Sequence, residues 1–566
     1  MICNKVLPVL LCFLVVVPQL KAQHSGPQIK TRIGARAAAG GFTNPSILVA
    51  ITDDSAEPVT QPGPDGRIRP VLRVAPSSSL TSGARKVFET PFIKELLELE
   101  RYAKASQINE LTQQGMRGSD RYKELDCPLY LLLSQEEGGF ARKGFWLQGQ
   151  DGRRRYVAAH YVDLVVDQAG MDRGDFEEIF AHELGHVILG ILLGSIPDGH
   201  SRNMHMSMTV TDYPTAFDEG YAEHFQPLVR DSTNNANLRG LDRGVDQTNL
   251  NSFWVSNVDR QLRNDGIRRG TFTQSQQVPA IAYAEDPDRY RLFIAGQTAP
   301  FQPGTIKNAQ QMASSEGLVA TLFYRLVNDE KIRNTFREGG FYRQFLNAKQ
   351  VTGPRMLFTP YQNANLKVFA AIRSLGRTGL GPDRPLAFEL IKAYGEAFPD
   401  EKEVAYEILI NTTLGVTVSP DAPSTFEKLA AEGRIGSASF LEGLPASRKL
   451  LKDVLRQAMD QPAALYAQIG NPLWVLNSEF KIGQAIWDDK RTVALAINLN
   501  TATIPELMTI PGLDLKTAQQ IVAARSKGPF SSIEDLGGLK GIPKSLATTL
   551  SIMREQMRLA EPYRRQ

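Results

Sequence analysis

Histidine is scarce in this chain, seven in 566 residues, yet six of the seven crowd between His160 and His224. At the centre of that interval stands His182-Glu183-Leu184-Gly185-His186. Residues i and i+4 share one face of an α-helix, about 6 Å apart, so two neutral imidazoles placed this way can bind one Zn2+ ion. Glu183 then lies beside the open coordination position, where a carboxylate can take a proton from metal-bound water of pKa about 7 and pass it to a leaving amine. The motif therefore constrains the fold before anything else does: it needs a well-packed helix and a second element to bring a third ligand. The spacing predicts that helix over 172–193, opened by the acidic Asp175, Glu177 and Glu178 and ending in the apolar run 187–193. A second helix is predicted over 215–229.

Phe180-Ala181-His182-Glu183-Leu184-Gly185-His186 resembles the active-site helix of the zincin metallopeptidases. The chain departs from the metzincin extension, having Leu189 and Leu192 where that pattern places Gly and a ligand. It is more similar to gluzincins, whose third ligand is a glutamate on a later helix. Ala216-Phe217-Asp218-Glu219-Gly220-Tyr221-Ala222-Glu223-His224-Phe225 resembles that helix, with Glu219 in the ligand position and 32 residues between it and His186. The resemblance implies zinc held by His182, His186 and Glu219, and Glu183 as general base. It also implies that Glu223, one turn on, accepts a hydrogen bond from a ligating imidazole. Glu223 itself, Glu316, His200 and His205 stay open as competing third ligands. Tyr324 or His205 could steady an oxyanion, but no spacing selects either. His160 reads as a core or edge residue, and Met204-His205-Met206-Ser207-Met208 as a loop packed over the helix rather than a soft-metal site.

The expected fold class is α+β: a zincin-like metallopeptidase domain of a sheet plus active-site helices, a helical middle region, and a small all-α domain of tandem helix-hairpin-helix type. Segment 23–83 is rich in Gly, Pro, Ser and Thr and reads as a loosely structured β-hairpin, its turn signals at 61–66 between apolar runs 47–51 and 68–74. A helix over 86–111 and strands at 128–133, 144–148 and 156–166 follow, giving a peptidase domain over 84–350. Segment 240–304 reads as polar loop, 312–327 as an amphipathic helix and 351–490 as broken helices.

The final block, 491–566, has its own pattern. Ile497-Asn498-Leu499-Asn500-Thr501-Ala502, Ile510-Pro511-Gly512-Leu513 and Gly528-Pro529-Phe530 resemble the tandem helix-hairpin-helix module of bacterial competence DNA receptors. Asn498 and Asn500 suit turn and cap positions, and Pro511-Gly512 a tight hairpin. Such hairpins offer backbone N–H groups to phosphates, yet here Asp514 adds a negative charge and Pro543 removes a donor. The block carries 10 basic and 6 acidic residues, a mild bias. Weak non-specific DNA contact and protein docking both follow as expectations.

The N-terminus reads as a secretory signal over 1–22, with Lys5, an apolar run 6–17 and Leu20-Lys21-Ala22 before a cleavage ahead of Gln23. The run is shorter than the roughly 20 residues a spanning helix needs, so no transmembrane segment is expected in the mature chain. Of Cys3, Cys12 and Cys127 only the last would survive cleavage, which excludes an internal disulfide and fits a bacterial periplasm or exterior. With 64 basic and 61 acidic residues the whole chain is too balanced to be a general nucleic-acid binder. The expected function is an exported zinc metallopeptidase acting on peptide or protein substrates. The alternative is a cell-envelope DNA- or protein-binding protein with a structural or inactive zinc site, and an aminopeptidase is a third.

Overall fold

A computed structural model describes residues 44–134, 138–196, 207, 209–240, 259–273, 278–279, 306–346, 351–433, 441–481, 492–502, 504–508, 510–525 and 528–559. The chain separates into two units, Met1–Arg36 and Ala37–Gln566, and all described residues belong to the second. The expected signal segment, His200, His205 and most of the loop around them lie outside the described residues. Among the described residues no helix is long and apolar enough to cross a membrane.

Six strands build the sheet: β1 (Ser46–Ala50), β2 (Thr60–Pro62), β3 (Ile68–Val74), β4 (Tyr130–Ser134), β5 (Gly139–Gln148) and β6 (Arg154–Val165), in the order β1-β4-β6-β5-β3-β2. β1 also pairs with β3, antiparallel with Leu48 opposite Val74, so five of the strands close on themselves like a small barrel and β2 extends β3 as a short hairpin arm. Alternation along the strands sends two sets of side chains to opposite faces. Leu48, Leu72, Tyr130, Leu132, Phe145, Val157 and Tyr161 fill the interior, where Phe145 meets Tyr130 and Tyr161 edge-on at 5.0 and 5.4 Å. Ile47, Leu131, Val162 and Leu164 face outward into the main core. The hairpin expected in 23–83 is thus part of the sheet rather than a loose appendage. Its backbone hydrogen bonds need β4 and β5 as partners, and an isolated two-stranded hairpin is marginal in water.

After α1 (Ser79–Phe88), α2 (Pro91–Gln113), α3 (Asp120–Leu125) and α4 (Gln168–Arg173), the helix α5 (Asp175–Leu193) lies against the outer face, and α2 packs on α5. α5 starts from Gly174, whose φ of 85° also ends α4, and stops at Gly194 with φ 77°. It is apolar nearly all round, as a helix sandwiched between a sheet and other helices must be. Next come α6 (Tyr213–Glu223), capped by Asp212 accepting from Thr215 N at 2.9 Å, and α7 (Phe225–Ser232). The polar stretch expected as loop over 240–304 contains a helix, Asp259–Arg269. Its sequence has little apolar periodicity because its work is polar: Asn264 donates to the buried Glu178 at 2.8 Å and Arg263 reaches Glu223 at 3.5 Å.

One continuous apolar core runs from Ile47 to Trp474, through the helices Glu316–Asn328, Pro360–Arg377, Leu386–Ala397 and Lys402–Thr412. The segment set apart as 351–490 therefore shares the core of 84–350. A second core starts at Leu473 and Val475 and includes Ile497, Leu507, Ile510, Ala518, Ile521, Leu536 and Leu550. Strand Trp474–Lys481 pairs antiparallel with Thr492–Asn498, so this compact unit begins nearly twenty residues before the border expected at 491. Trp474 packs edge-on to Tyr213 at 5.5 Å, and Asn498 Nδ2 donates to Gln310 Oε1 at 2.6 Å, seating the unit on the main body.

Candidate metal centre

α5 and α6 come unusually close because each carries a glycine where a side chain would collide. A Cβ on Gly185 would stand 2.9 Å from Ala222 Cα, and one on Gly220 would stand 2.7 Å from Val319 Cβ. The first lets α6 lie directly on α5, and the second lets helix Glu316–Asn328 press α6 from behind. This packing brings His182, His186 and Glu219 together. His186 Nε2 lies 3.1 Å from His182 Nε2, and Glu219 Oε2 lies 3.4 Å from His182 Nε2 and 3.3 Å from His186 Nε2. In a tetrahedral zinc site with bonds of about 2.0–2.1 Å the ligand atoms stand roughly 3.3–3.4 Å from one another. The three atoms are spaced to hold such an ion.

Burial pushes His182 down to about 4, despite the opposing pull of Glu219, so the ring is neutral near pH 7 and its lone pair is free for a metal. His186 Nδ1 sits 2.8 Å from Asp218 Oδ1. Donation of the Nδ1 proton to that carboxylate leaves Nε2 as the bare nitrogen facing the cluster, the tautomer that a metal ligand requires. Glu223 is the residue expected there, and the carboxylate beside His186 Nδ1 is Asp218. Glu223 takes a hydrogen bond from Ser207 Oγ at 2.5 Å and faces Arg263, while His182 Nδ1 has no hydrogen-bond partner. The signal for Asp218 was present in the Asp-Glu-Gly run. Helical spacing alone does not show that the residue preceding Glu219 reaches back to α5.

Glu183, between the two histidines, is buried and points at the start of β5, where a Cβ on Gly139 would stand 2.8 Å from its Oε1. Among the other candidates, Glu316 is buried behind α6 and does not join the three converging residues. The Tyr324 hydroxyl donates to Asp231 at 3.2 Å. His160 stands between β6 and the C-terminal half of α5, its Nε2 3.2 Å from Glu124, and burial pushes it down to about 4.

In the C-terminal unit Gly512 and Gly541 take φ of 85° and 91°, left-handed turns that favour glycine. Asp514 accepts from Thr517 N at 2.8 Å, capping helix Leu515–Arg525. Asn500 does more than cap a turn. It exchanges two hydrogen bonds with the Phe530 backbone, at 2.9 and 2.8 Å, and so ties the first hairpin to the second.

The family model described as "Helix-hairpin-helix motif" matches residues 494–551. A stretch of 51 residues is 51% identical to the zebrafish (Danio rerio) protein named "Endonuclease/exonuclease/phosphatase family domain-containing protein 1", covering 9% of this chain and 9% of that one. No solved structure matches the chain. Residues 494–551 of this mixed α+β, mostly helical protein form a helix-hairpin-helix motif.

Proposed function

We propose that the chain is an exported zinc metallopeptidase of zincin-like, gluzincin type, with His182, His186 and Glu219 as metal ligands and Glu183 as general base. The observation that carries this reading is the convergence of three ligand atoms 3.1–3.4 Å apart with Glu183 on the same helix. Zinc bound there would supply an acidified water and a Lewis acid for a peptide carbonyl. The chain's own residues do the rest. Asp218 holds the His186 tautomer, Glu219 brings the negative charge of the ligand set, and Glu183 holds and moves the proton. Glu183 is in addition the argument against a structural site, which has no use for a base.

The sheet suggests how a peptide is held. β6 pairs with β5 from Gly139 onward, whereas β3 meets the other side of β5 only at Trp146 and Leu147. Among the described residues the edge from Gly139 to Lys143 is therefore open to an extended peptide, which could add to it through backbone hydrogen bonds beside Glu183. For the C-terminal motif we propose weak, sequence-independent DNA contact, with docking to protein as the alternative. The stretch shared with the zebrafish protein is too short to bring the activity in that protein's name to this chain. The decisive test is Glu183→Gln, which keeps the size of the side chain but not its basicity. Zinc content should stay and peptide hydrolysis should fall by at least about 100-fold. Absence of cleavage by the unaltered chain across a broad peptide library, or equal cleavage by both, leaves the envelope-binding alternative as the better account.

A further inference from the structure

A cleft of about 320 Å³ runs from His186 along the C-terminal half of α5 to Gly194 and Ile196, and its other wall is β5 and the arm formed by β2 and β3. That wall is cationic: Arg67, Arg69, Arg142 and Lys143 all line it. Their carboxylate neighbours are Asp65, 2.9 Å from Arg69, Asp163, 2.8 Å from Arg142, and Glu124, 2.6 Å from Lys143. Glu124 also pairs with Arg121. Among the described residues four cations and one carboxylate, Asp65, line the cleft, and His160 beside them is held neutral by its burial. The surplus is positive inside a concave, partly desolvated space, where a charge acts more strongly than on an open surface.

Arg69 is the most deeply buried cation of this wall. Arg69 is only 6% exposed, and although its Nη2 binds Asp65, its Nε has no hydrogen-bond partner. A buried guanidinium N–H without an acceptor is costly, and the group that would relieve it is an anion with oxygen lone pairs. The neighbour on that side is the Tyr156 hydroxyl. β5 shifts register between Lys143 and Phe145, at Gly144 with φ 81°, and a Cβ there would stand 3.5 Å from Arg69 Nε and collide with the Tyr156 hydroxyl.

We propose that this cleft is an anion subsite that seats a carboxylate of the peptide substrate several residues from the bond cleaved. The inference rests on the peptidase reading for the word substrate, while the site itself rests on the cleft. Its distance follows from the strand: Glu183 lies against Gly139 and Arg69 against Gly144, five positions apart, or about 16 Å along an extended chain. A peptide added to the open edge of β5 would then carry its carboxylate three to five residues from the scissile bond. The carboxylate can belong to an acidic side chain or to the peptide's own C-terminus.

The test uses the full-length chain bearing Glu183→Gln, so that nothing is turned over, and reads binding by calorimetry. The probes are blocked hexapeptides of alanine with one glutamate moved through each position, their glutamine counterparts, and hexa-alanine with a free or an amidated C-terminus. The expected result is one glutamate register, or the free C-terminus, binding at least about tenfold tighter than its neutral counterpart. Arg69→Gln and the more exposed Lys143→Gln should each remove most of that preference and leave the neutral peptides unaffected. Which probe wins tells side chain from C-terminus. Equal binding of charged and neutral peptides, or a preference untouched by both substitutions in chains with unchanged circular dichroism, overturns the proposal. A preference that stands in a protein that hydrolyses no peptide would sink the peptidase reading and keep the subsite.

Discussion

Asp218 and Glu223 lie five residues apart on one buried helix, yet their partners differ. Asp218 meets the ring of a proposed ligand, whereas Glu223 meets Ser207 and Arg263. Removing a carboxylate that orients a ligating imidazole typically weakens metal binding about 10–100-fold. Asp218→Asn should show that loss in a zinc-competition titration and Glu223→Gln much less, and the reverse order would return the orienting role to Glu223. Burial raises Glu124, but His160, Arg121 and Lys143 outweigh it and hold it down to about 2, while His160 is held down to about 4. Below pH about 6.5 the unfolded chain takes up a proton at His160 that the folded chain refuses, and below about 4.5 it takes up another at Glu124. Both make stability fall as the pH falls, the first between 6.5 and 4 and the second between 4.5 and 2. Thermal melting of the metal-free chain should follow that slope, and Glu124→Gln should melt lower at pH 7 with a flatter fall below 4.5. A variant curve parallel to the unaltered one down to pH 3 would show that the network contributes nothing.

At the scale of elements, helix α5 was readable because period and motif agreed, and α6 because its acidic run repeated a known pattern. Their crossing was not readable. It depends on Gly185 against Ala222 and Gly220 against Val319, contacts between residues far apart in the chain, and this crossing decides which carboxylate reaches His186. Strands β4, β5 and β6 showed as apolar runs, whereas closure of the sheet depends on the pairing of β1 with β3 and β4, which local patterns do not encode. The C-terminal unit makes the same point about borders. A fragment beginning at 496 lacks Leu473, Val475 and the strand that pairs with Thr492–Asn498, whereas one beginning at 471 has them. The longer fragment should unfold cooperatively in urea and the shorter one should not, and equal transitions would show that the hairpin motif alone suffices. The longer fragment should bind duplex DNA weakly at low salt and lose it as salt rises, because Asp514 adds a negative charge at the first hairpin.

For the whole molecule, one core joins the sheet, the helices that carry His182, His186 and Glu219 and the helices through Trp474, so changes far along the chain can act on the site through packing. The seat of Trp474 on Tyr213, the first residue of α6, places the helix-hairpin-helix unit at the base of the helix that carries Glu219. All of this turns on whether three side chains spaced for a metal do hold one. The most direct measurement is zinc per chain in the purified protein and in His186→Ala, determined by elemental analysis after dialysis against metal-free buffer. About one zinc is expected in the first and close to none in the second. Equal zinc in both, or none in either after zinc is supplied, would contradict it.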